Sequence, residues 1–333
     1  MLYVGTVGGI EEEIVRRWTI PFKAIRAAGL RGLSLSQKLS NGFQLLRGTV
    51  DAGRILEEFA PHVVLATGGY ASAPVVVSAW LRHCPVLIYL PDVVPGLAIR
   101  SLSVLARRVA VSFQGSEEYF ASGKAVATGY PVRAALYRVD KSAAKQRLGL
   151  DPELDTLLVF GGSRGAHSIN AAVRASLEAL LRRAQIVHIT GHDDLEWLVE
   201  RRAQLPQGMA ARYLLFDYLH EEMTDALAAA DLAVARAGAA TMGEFAAAGL
   251  PSVLVPYPHA GRHQEANADY MAEHGAARKV TDAALAEGAL ARTVLALLSD
   301  DVALRRMSER ARALARPGAA RSIALQLAAL AGG

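Results

Sequence analysis

Residues 234–267 decide the fold of this chain, and they read VARAGAATMGEFAAAGLPSVLVPYPHAGRHQEAN. An apolar run that is typical of a buried strand leads into the turn 236–238. The alanine-rich segment 239–248 predicts a short helix that ends at Gly249, and 251–256 predicts a second strand before a polar loop. Strand, turn, helix and strand form the repeating unit of a parallel sheet.

The start of this helix predicts an anion site. The first amides of a helix lack intrahelical acceptors and lie at its positive end, so they bind phosphate. Glu244 follows in the same helix, where a carboxylate can accept hydrogen bonds from sugar hydroxyls while the amides hold a phosphate. An ordinary helix–strand unit with a capping glutamate has the same spacing, so the stretch alone leaves both interpretations open.

Alternating strands and helices occupy the rest of the chain in two successive series. The charged segment 140–152 separates them. This alternation predicts an α/β protein with two doubly wound parallel sheets. Glycine clusters at 68–69, 161–165 and 238 each follow a predicted strand. Because ligands of such sheets bind beyond the carboxyl ends of strands, we expect a site in a cleft between two domains.

The composition of the chain reduces the range of possible functions further. The 333 residues are 52% hydrophobic and 20% charged, which suits about two domains with large cores. A single cysteine, Cys84, excludes a disulfide framework and a cysteine-based zinc site. The net charge of +4 favours anionic lipid or phosphorylated ligands, and the scarcity of aromatic residues argues against nucleic acid. We find no signal peptide and no membrane-spanning run, and therefore expect a cytosolic protein.

An ordered set of motifs resembles the MurG family of glycosyltransferases. The motifs are GGYASAP (68–74), VPG (94–96), TGYPVR (128–133), FGGSRGAHSIN (160–170) and the long stretch from residue 236 onward. Any one glycine motif is weak evidence, but their order and spacing match from about residue 1 to 325. The resemblance implies a GT-B fold, which has two Rossmann-like domains facing a cleft. It also implies an inverting transfer of N-acetylglucosamine from UDP-N-acetylglucosamine to lipid-linked N-acetylmuramyl-pentapeptide.

The resemblance also implies different roles for the two domains. Residues 1–135 would form the domain that meets the acceptor and the membrane. Residues 136–317 would form the donor domain, and the last helix, 318–331, would pack back on the first domain.

Donor contacts carry over position by position. The resemblance implies that the backbone of Leu219 contacts the uracil, that Glu244 contacts the ribose and that Arg133 contacts the donor phosphates. Gln264 is matched to the residue that contacts the sugar, with His263 and Asn267 beside it. The remaining matches lie around the diphosphate, and they are Ser163, Arg164, Ala239, Ala240, Thr241 and Met242. No Asp-x-Asp cluster is present, so we expect no cofactor and no divalent cation at the diphosphate.

Two departures from the family concern the acceptor side. The glycine-rich loop with which the family begins has no counterpart near Met1, which suggests a start codon placed too late or a truncated copy. The second departure is Tyr89–Asp92, where the family usually has His-Glu-Gln-Asn. Asp92 is a candidate general base, or a cap for the helix that opens near Pro95.

The remaining expectations concern the acceptor and the membrane. Gly68, Gly69 and Tyr70 are predicted on the acceptor side, next to a polyprenyl-diphosphate-linked substrate. Residues 31–47 combine leucines with basic residues and predict contact with the cytoplasmic face of the cell membrane, or else a helix packed on the sheet. Another lipid acceptor and a non-catalytic UDP-sugar binder remain as alternative functions.

Overall fold

A computed structural model describes residues 1–9, 11–26, 35–69, 71–162, 165–259 and 262–332. The chain forms two compact units. The N-terminal unit comprises Met1–Thr128 together with Ala320–Gly333, and the C-terminal unit comprises Gly129–Ala319. Four sequence predictions fall on residues outside the described ranges, namely those for Tyr70, Ser163, Arg164 and positions 31–34 of the membrane segment.

The N-terminal unit alternates strands and helices. Its strands are β1 (Tyr3–Thr6), β2 (Phe22–Ile25), β3 (Val64–Ala66), β4 (Val86–Leu90), β5 (Arg108–Val111) and β6 (Ala125–Ala127). Its helices before residue 128 are α1 (Glu11–Arg17), α2 (Leu35–Phe59), α3 (Ser72–Leu81) and α4 (Leu97–Leu102), with a 3₁₀ turn at Ser116–Tyr119. Strands β3 to β6 form a parallel sheet in chain order, and β1 pairs in parallel with β2.

The core of this unit explains the continuous apolar runs in its sequence. All five residues of β4 are buried, as expected of a parallel strand covered on both faces. Ile88 of β4 pairs with Ala66 and Val109 of the neighbouring strands, and all three belong to one buried cluster. Val76 of α3 is fully buried in the same cluster.

The C-terminal unit contains the second series. Its strands are β7 (Thr156–Phe160), β8 (Gln185–Ile189), β9 (Tyr213–Phe216), β10 (Leu232–Ala235), β11 (Ser252–Leu254) and β12 (Ala277–Lys279). Its helices begin with α5 (Lys141–Arg147), α6 (His167–Ala175), α7 (Leu177–Arg183), α8 (His192–Ala203) and α9 (Gln207–Ala210). They continue with α10 (Met223–Ala229), α11 (Ala239–Ala248), α12 (His263–Glu273), α13 (Ala289–Leu298) and α14 (Asp301–Leu314). Two 3₁₀ turns span Ala134–Tyr137 and Ala283–Glu287.

The sheet of the C-terminal unit has the strand order β12-β11-β10-β7-β8-β9, and every pair in it is parallel. This is the order of a dinucleotide-binding fold, with its topological switch point between β7 and β10. Phe160 and Ala235, the last residues of these two strands, are paired. The ends of β7 and β10 therefore meet at the crevice where ligands of such sheets bind.

The last helix, α15 (Ala319–Ala331), belongs to the N-terminal unit from Ala320 onward. Within that unit, Arg108 of β5 donates a hydrogen bond of 2.5 Å to Gln326 of α15. No helix in the described ranges is both long and apolar enough to cross a bilayer.

The predicted α/β class with parallel sheets is confirmed, although the described residues form three such sheets, because β1 and β2 pair apart from β3 to β6. Three local predictions are wrong. The polar loop that carries Gln264 and Asn267 is the start of helix α12. The sequence of residues 282–298 predicts a single helix, but the segment forms a 3₁₀ turn and α13, because Gly288 between them has a φ of +71°. Strand β12 was missed because two of its three residues, Arg278 and Lys279, are charged, as an edge strand permits.

A buried polar network holds β8 and β9 together behind the switch point. His188 Nδ1 lies 2.8 Å from the Tyr213 hydroxyl, and His188 Nε2 lies 2.9 Å from Asn170 Oδ1. The Asn170 amide donates to the Thr190 carbonyl and to Asp194. His188 Nε2 therefore carries the proton, and Nδ1 accepts from the tyrosine. Burial lowers the pKa of His188 to about 3, so the ring stays neutral.

Because His188 is buried in its neutral form, we expect the protein to lose stability in acid. The unfolded chain protonates His188 below about pH 6.5, whereas the folded chain does so only near pH 3. Between these values the free energy of unfolding should fall by up to about 1.4 kcal/mol per pH unit because of this group. Urea unfolding at several pH values measures the slope. We expect His188→Gln to remove this contribution, whereas His192→Gln, an exposed control on α8, should retain it.

Candidate functional site

Two helices begin at the crevice between β7 and β10. Helix α6 follows the loop after β7, and α11 follows the turn after β10. Gly165 in the first loop has a φ of +74°, and a Cβ there would lie 2.2 Å from the Thr190 carbonyl oxygen. Only glycine fits this position, and it allows the loop to pass close to the end of β8.

The first turn of α11 supplies amides for an anion. Gly238 caps the helix in an extended conformation, and Gly249 ends it in the left-handed conformation, as the sequence predicted. The Met242 amide donates to the Gly238 carbonyl at 3.2 Å. The amides that a helix start leaves for a ligand are therefore those of residues 239–241 rather than that of Met242, whose side chain is buried.

Glu244 is half-buried at the sixth position of α11. Burial raises the pKa of its carboxyl group, and the positive charge of Arg133 acts in the opposite direction. Arg133 Nη1 also donates to the His220 carbonyl at 3.0 Å, next to the buried Leu219. Three predicted donor contacts that lie far apart in sequence, Arg133, Leu219 and Glu244, are thus brought together in the C-terminal unit.

A close contact between Gly243 and Tyr130 brings these residues together. A Cβ on Gly243 would lie 2.5 Å from the ring of Tyr130. The absent side chain lets the segment that carries Arg133 lie against α11. Sequence reasoning assigned no role to Gly243, although a glycine inside a helix is a recognised sign of close packing.

The residues predicted to contact the sugar lie on α12. Gln264 Oε1 accepts a hydrogen bond of 2.9 Å from the Tyr257 amide, which orients its NH₂ group as a donor for another partner. Asn267 is fully buried, and its amide donates to the Ala237 carbonyl at 2.9 Å. Asn267 therefore supports the turn before α11. His263 is half-buried at the first position of α12.

The predicted acceptor residues lie at strand ends of the N-terminal unit. Gly68 and Gly69 follow β3 with φ angles of +96° and +80°, and the Ser72 hydroxyl donates to the Gly68 carbonyl. Asp92 follows β4. Gly96 is the N-cap residue of α4, so Asp92 does not occupy the N-cap position of this helix.

No cluster of three or more histidine, cysteine, aspartate or glutamate residues suited to a metal occurs in the described ranges. Sequence reasoning missed Arg236 and Asp282, which lie beneath the crevice. Arg236 is 8% exposed and forms an ion pair of 2.5 Å with Asp282. Because Arg236 is followed by small residues, the sequence indicated only a turn at this position.

Comparison with protein families decides the classification. Residues 1–111 match the glycosyltransferase family 28 N-terminal domain, and residues 156–323 match the glycosyltransferase family 28 C-terminal domain. The chain belongs to glycosyltransferase family 28. Its relatives place it in the MurG branch of that family, as the motifs predicted.

Two curated relatives carry the name UDP-N-acetylglucosamine–N-acetylmuramyl-(pentapeptide) pyrophosphoryl-undecaprenol N-acetylglucosamine transferase. The protein from Roseiflexus sp. is 43% identical over 99% of this chain and 83% of its own length. The protein from Desulforudis audaxviator is 39% identical, and the match covers 97% of this chain and 88% of the relative.

Solved structures agree with the GT-B fold. Acinetobacter baumannii MurG matches with a TM-score of 0.75 and 27% identity over 98% of this chain and 90% of its own. A UDP-GlcNAc 2-epimerase from Neisseria meningitidis, solved with UDP-GlcNAc, matches with a TM-score of 0.65 and 12% identity over 96% of this chain and 88% of its own. The latter likeness concerns the fold alone.

Proposed function

We propose that the chain transfers N-acetylglucosamine from UDP-N-acetylglucosamine to a lipid-linked N-acetylmuramyl-pentapeptide in peptidoglycan synthesis. The supporting observation is the grouping of Arg133, Leu219 and Glu244 beside the start of α11. The relatives bear the name of this reaction over nearly the whole chain.

In the proposed donor complex, the amides of residues 239–241 and the guanidinium of Arg133 bind the diphosphate. The Glu244 carboxylate accepts hydrogen bonds from the ribose hydroxyls, and the backbone at Leu219 contacts the uracil. The NH₂ group of Gln264 donates to a sugar hydroxyl. The resemblance assigns Ser163 and Arg164, which lie outside the described residues, to the phosphates as well. Each assignment uses a group that can donate or accept as the ligand atom requires.

The proposed reaction is a direct displacement with inversion. A hydroxyl oxygen of the acceptor forms a bond to the anomeric carbon, the bond from that carbon to the diphosphate oxygen breaks, and UDP leaves. The helix start and Arg133 stabilise the negative charge that develops on the diphosphate. Asp92 takes the proton of the attacking hydroxyl. The proposal assigns Gly68 and Gly69 to the acceptor, together with Tyr70, which lies outside the described residues.

The acceptor is bound to a membrane, and one face of α2 suits contact with its cytoplasmic surface. Leu46 and Val50 are 67% and 55% exposed. The arginines at 26, 47 and 54 line the same surface depression, together with one aspartate. Apolar side chains surrounded by arginines bind anionic lipid surfaces. The opposite face of the helix, with Ala52 and Leu56, is buried in the core of the N-terminal unit.

Glu244→Gln should weaken the binding of UDP-N-acetylglucosamine about tenfold, because the variant loses a charged acceptor for the ribose. Since burial raises the pKa of this carboxyl group, wild-type affinity should also rise with pH through that elevated pKa and then level off. The variant should lack this rise. Titration calorimetry with UDP-N-acetylglucosamine at several pH values measures both effects.

Glu309→Gln, on the exposed side of α14, is the matched control and should bind like the wild type. Equal affinity of Glu244→Gln and wild type at neutral pH would contradict the assignment of the ribose to Glu244.

Asp92→Asn should lower kcat for transfer about 10²- to 10⁴-fold, the usual contribution of a general base, and leave the affinity for UDP unchanged. The assay follows radiolabelled N-acetylglucosamine from the donor into a lipid-linked muramyl-pentapeptide, with diacylglycerol as an alternative acceptor. Label in diacylglycerol alone would refute the proposed acceptor. Donor binding without transfer to either lipid would refute the proposed enzyme activity.

Leu46→Ser combined with Val50→Ser should reduce cosedimentation with vesicles that contain phosphatidylglycerol, because the pair removes apolar contact area from the α2 face. Val302→Ser, at an exposed valine of α14, is the control and should have no effect. Equal sedimentation of all three proteins would contradict the proposed membrane surface.

A further inference from the structure

Arg236 lies across the switch point of the C-terminal sheet. It follows β10 directly and is 8% exposed. Its Nη2 donates to the Ser168 hydroxyl at 2.8 Å, in the first turn of α6. Its Nη1 forms the 2.5 Å ion pair with Asp282, and the same Asp282 oxygen accepts from the Ser168 hydroxyl at 2.8 Å. This triangle anchors the guanidinium beneath the crevice.

Arg236 also contacts the segment 255–257. Nη1 also lies 3.2 Å from the Val255 carbonyl and 3.3 Å from the Pro256 carbonyl, just after β11. The ring of Tyr257 covers the guanidinium, with the Arg236 Cζ 5.2 Å from the ring centroid. The Tyr257 amide in turn donates to Gln264 Oε1. Arg236 is thus connected to Gln264 through Tyr257.

A second connection runs in the opposite direction. The buried Asn267 amide donates to the carbonyl of Ala237, the residue after Arg236. The turn before α11 and the segment 255–267 therefore hold each other at two points. One of these is a buried, charge-assisted set of hydrogen bonds, which fixes geometry more firmly than neutral bonds do.

We propose that Arg236 is a positioning residue that holds residues 255–257, and through Tyr257 also Gln264, in place for the sugar of the donor. This inference rests on the proposed function. Arg236 acts through Tyr257 and Gln264, so its effect falls on the sugar part of the donor more than on UDP. A planar guanidinium reaches Ser168, Asp282 and two carbonyls at once. A lysine keeps the positive charge beside Asp282 but cannot reproduce this fork.

The test compares the dissociation constants of UDP and UDP-N-acetylglucosamine for the full chain by calorimetry. Arg236→Lys should raise the constant for UDP-N-acetylglucosamine about tenfold and that for UDP less than about threefold. KM for the donor should rise in parallel. Arg278→Lys, at an exposed arginine of β12, is the control and should change neither. A role in stability alone would lower the melting temperature and leave the ratio of the two constants unchanged.

Tyr257→Leu is the second variant, because Tyr257 is 44% exposed and its loss should be tolerated even if Arg236→Lys does not fold. It should shift the ratio in the same direction, since it removes the ring that packs on the Arg236 guanidinium while keeping the residue 257 amide that donates to Gln264. An unchanged ratio in the folded variants, or an equal loss of both ligands, would overturn the inference and leave the proposed function intact. A wild type that binds neither ligand would overturn both.

Discussion

The strand order of the C-terminal unit is the constraint on which the rest of the site depends. Because β7 and β10 are neighbours and lead to helices on opposite sides of the sheet, their paired ends open a crevice between α6 and α11. The helix starts direct their unpaired amides toward this crevice, which suits a diphosphate. Arg133, Leu219 and Glu244 come to its side because Gly243 lets the Tyr130 segment lie against α11. A side chain at Gly243 would separate them.

The charged residues at this site form two pairs with different roles, one suited to ligand binding and one that fixes the geometry. Burial of Glu244 disfavours its ionised form, yet the proposed contact with the ribose hydroxyls uses that form as the acceptor. Arg133 offsets part of the cost and is itself suited to the phosphates. Below the crevice, the buried Arg236 is paired with the half-buried Asp282, so the two add rigidity without adding net charge. The site thus combines one partly desolvated carboxylate with a firmly held ion pair beneath it.

Local sequence pattern predicted much of this fold and part of the site. The bounds of α11 followed from Gly238 and Gly249, whose backbone conformations begin and end a helix. Helix α12 was missed because its residues are mostly polar, with little apolar periodicity to reveal it. The cluster of Arg236, Ser168 and Asp282 could not be predicted, because its members come together only in the folded sheet. The burial of Asn267 likewise depends on tertiary packing, which a sequence motif does not reveal.

We propose that the C-terminal unit binds a UDP-sugar at the β7–β10 crevice through backbone amides and one carboxylate. A crystal structure of the chain with UDP-N-acetylglucosamine is the decisive measurement. We expect diphosphate oxygens within hydrogen-bond distance of the amides of residues 239–241, and both ribose hydroxyls on Glu244. A nucleotide bound elsewhere, or a ribose directed away from Glu244, would refute this binding mode.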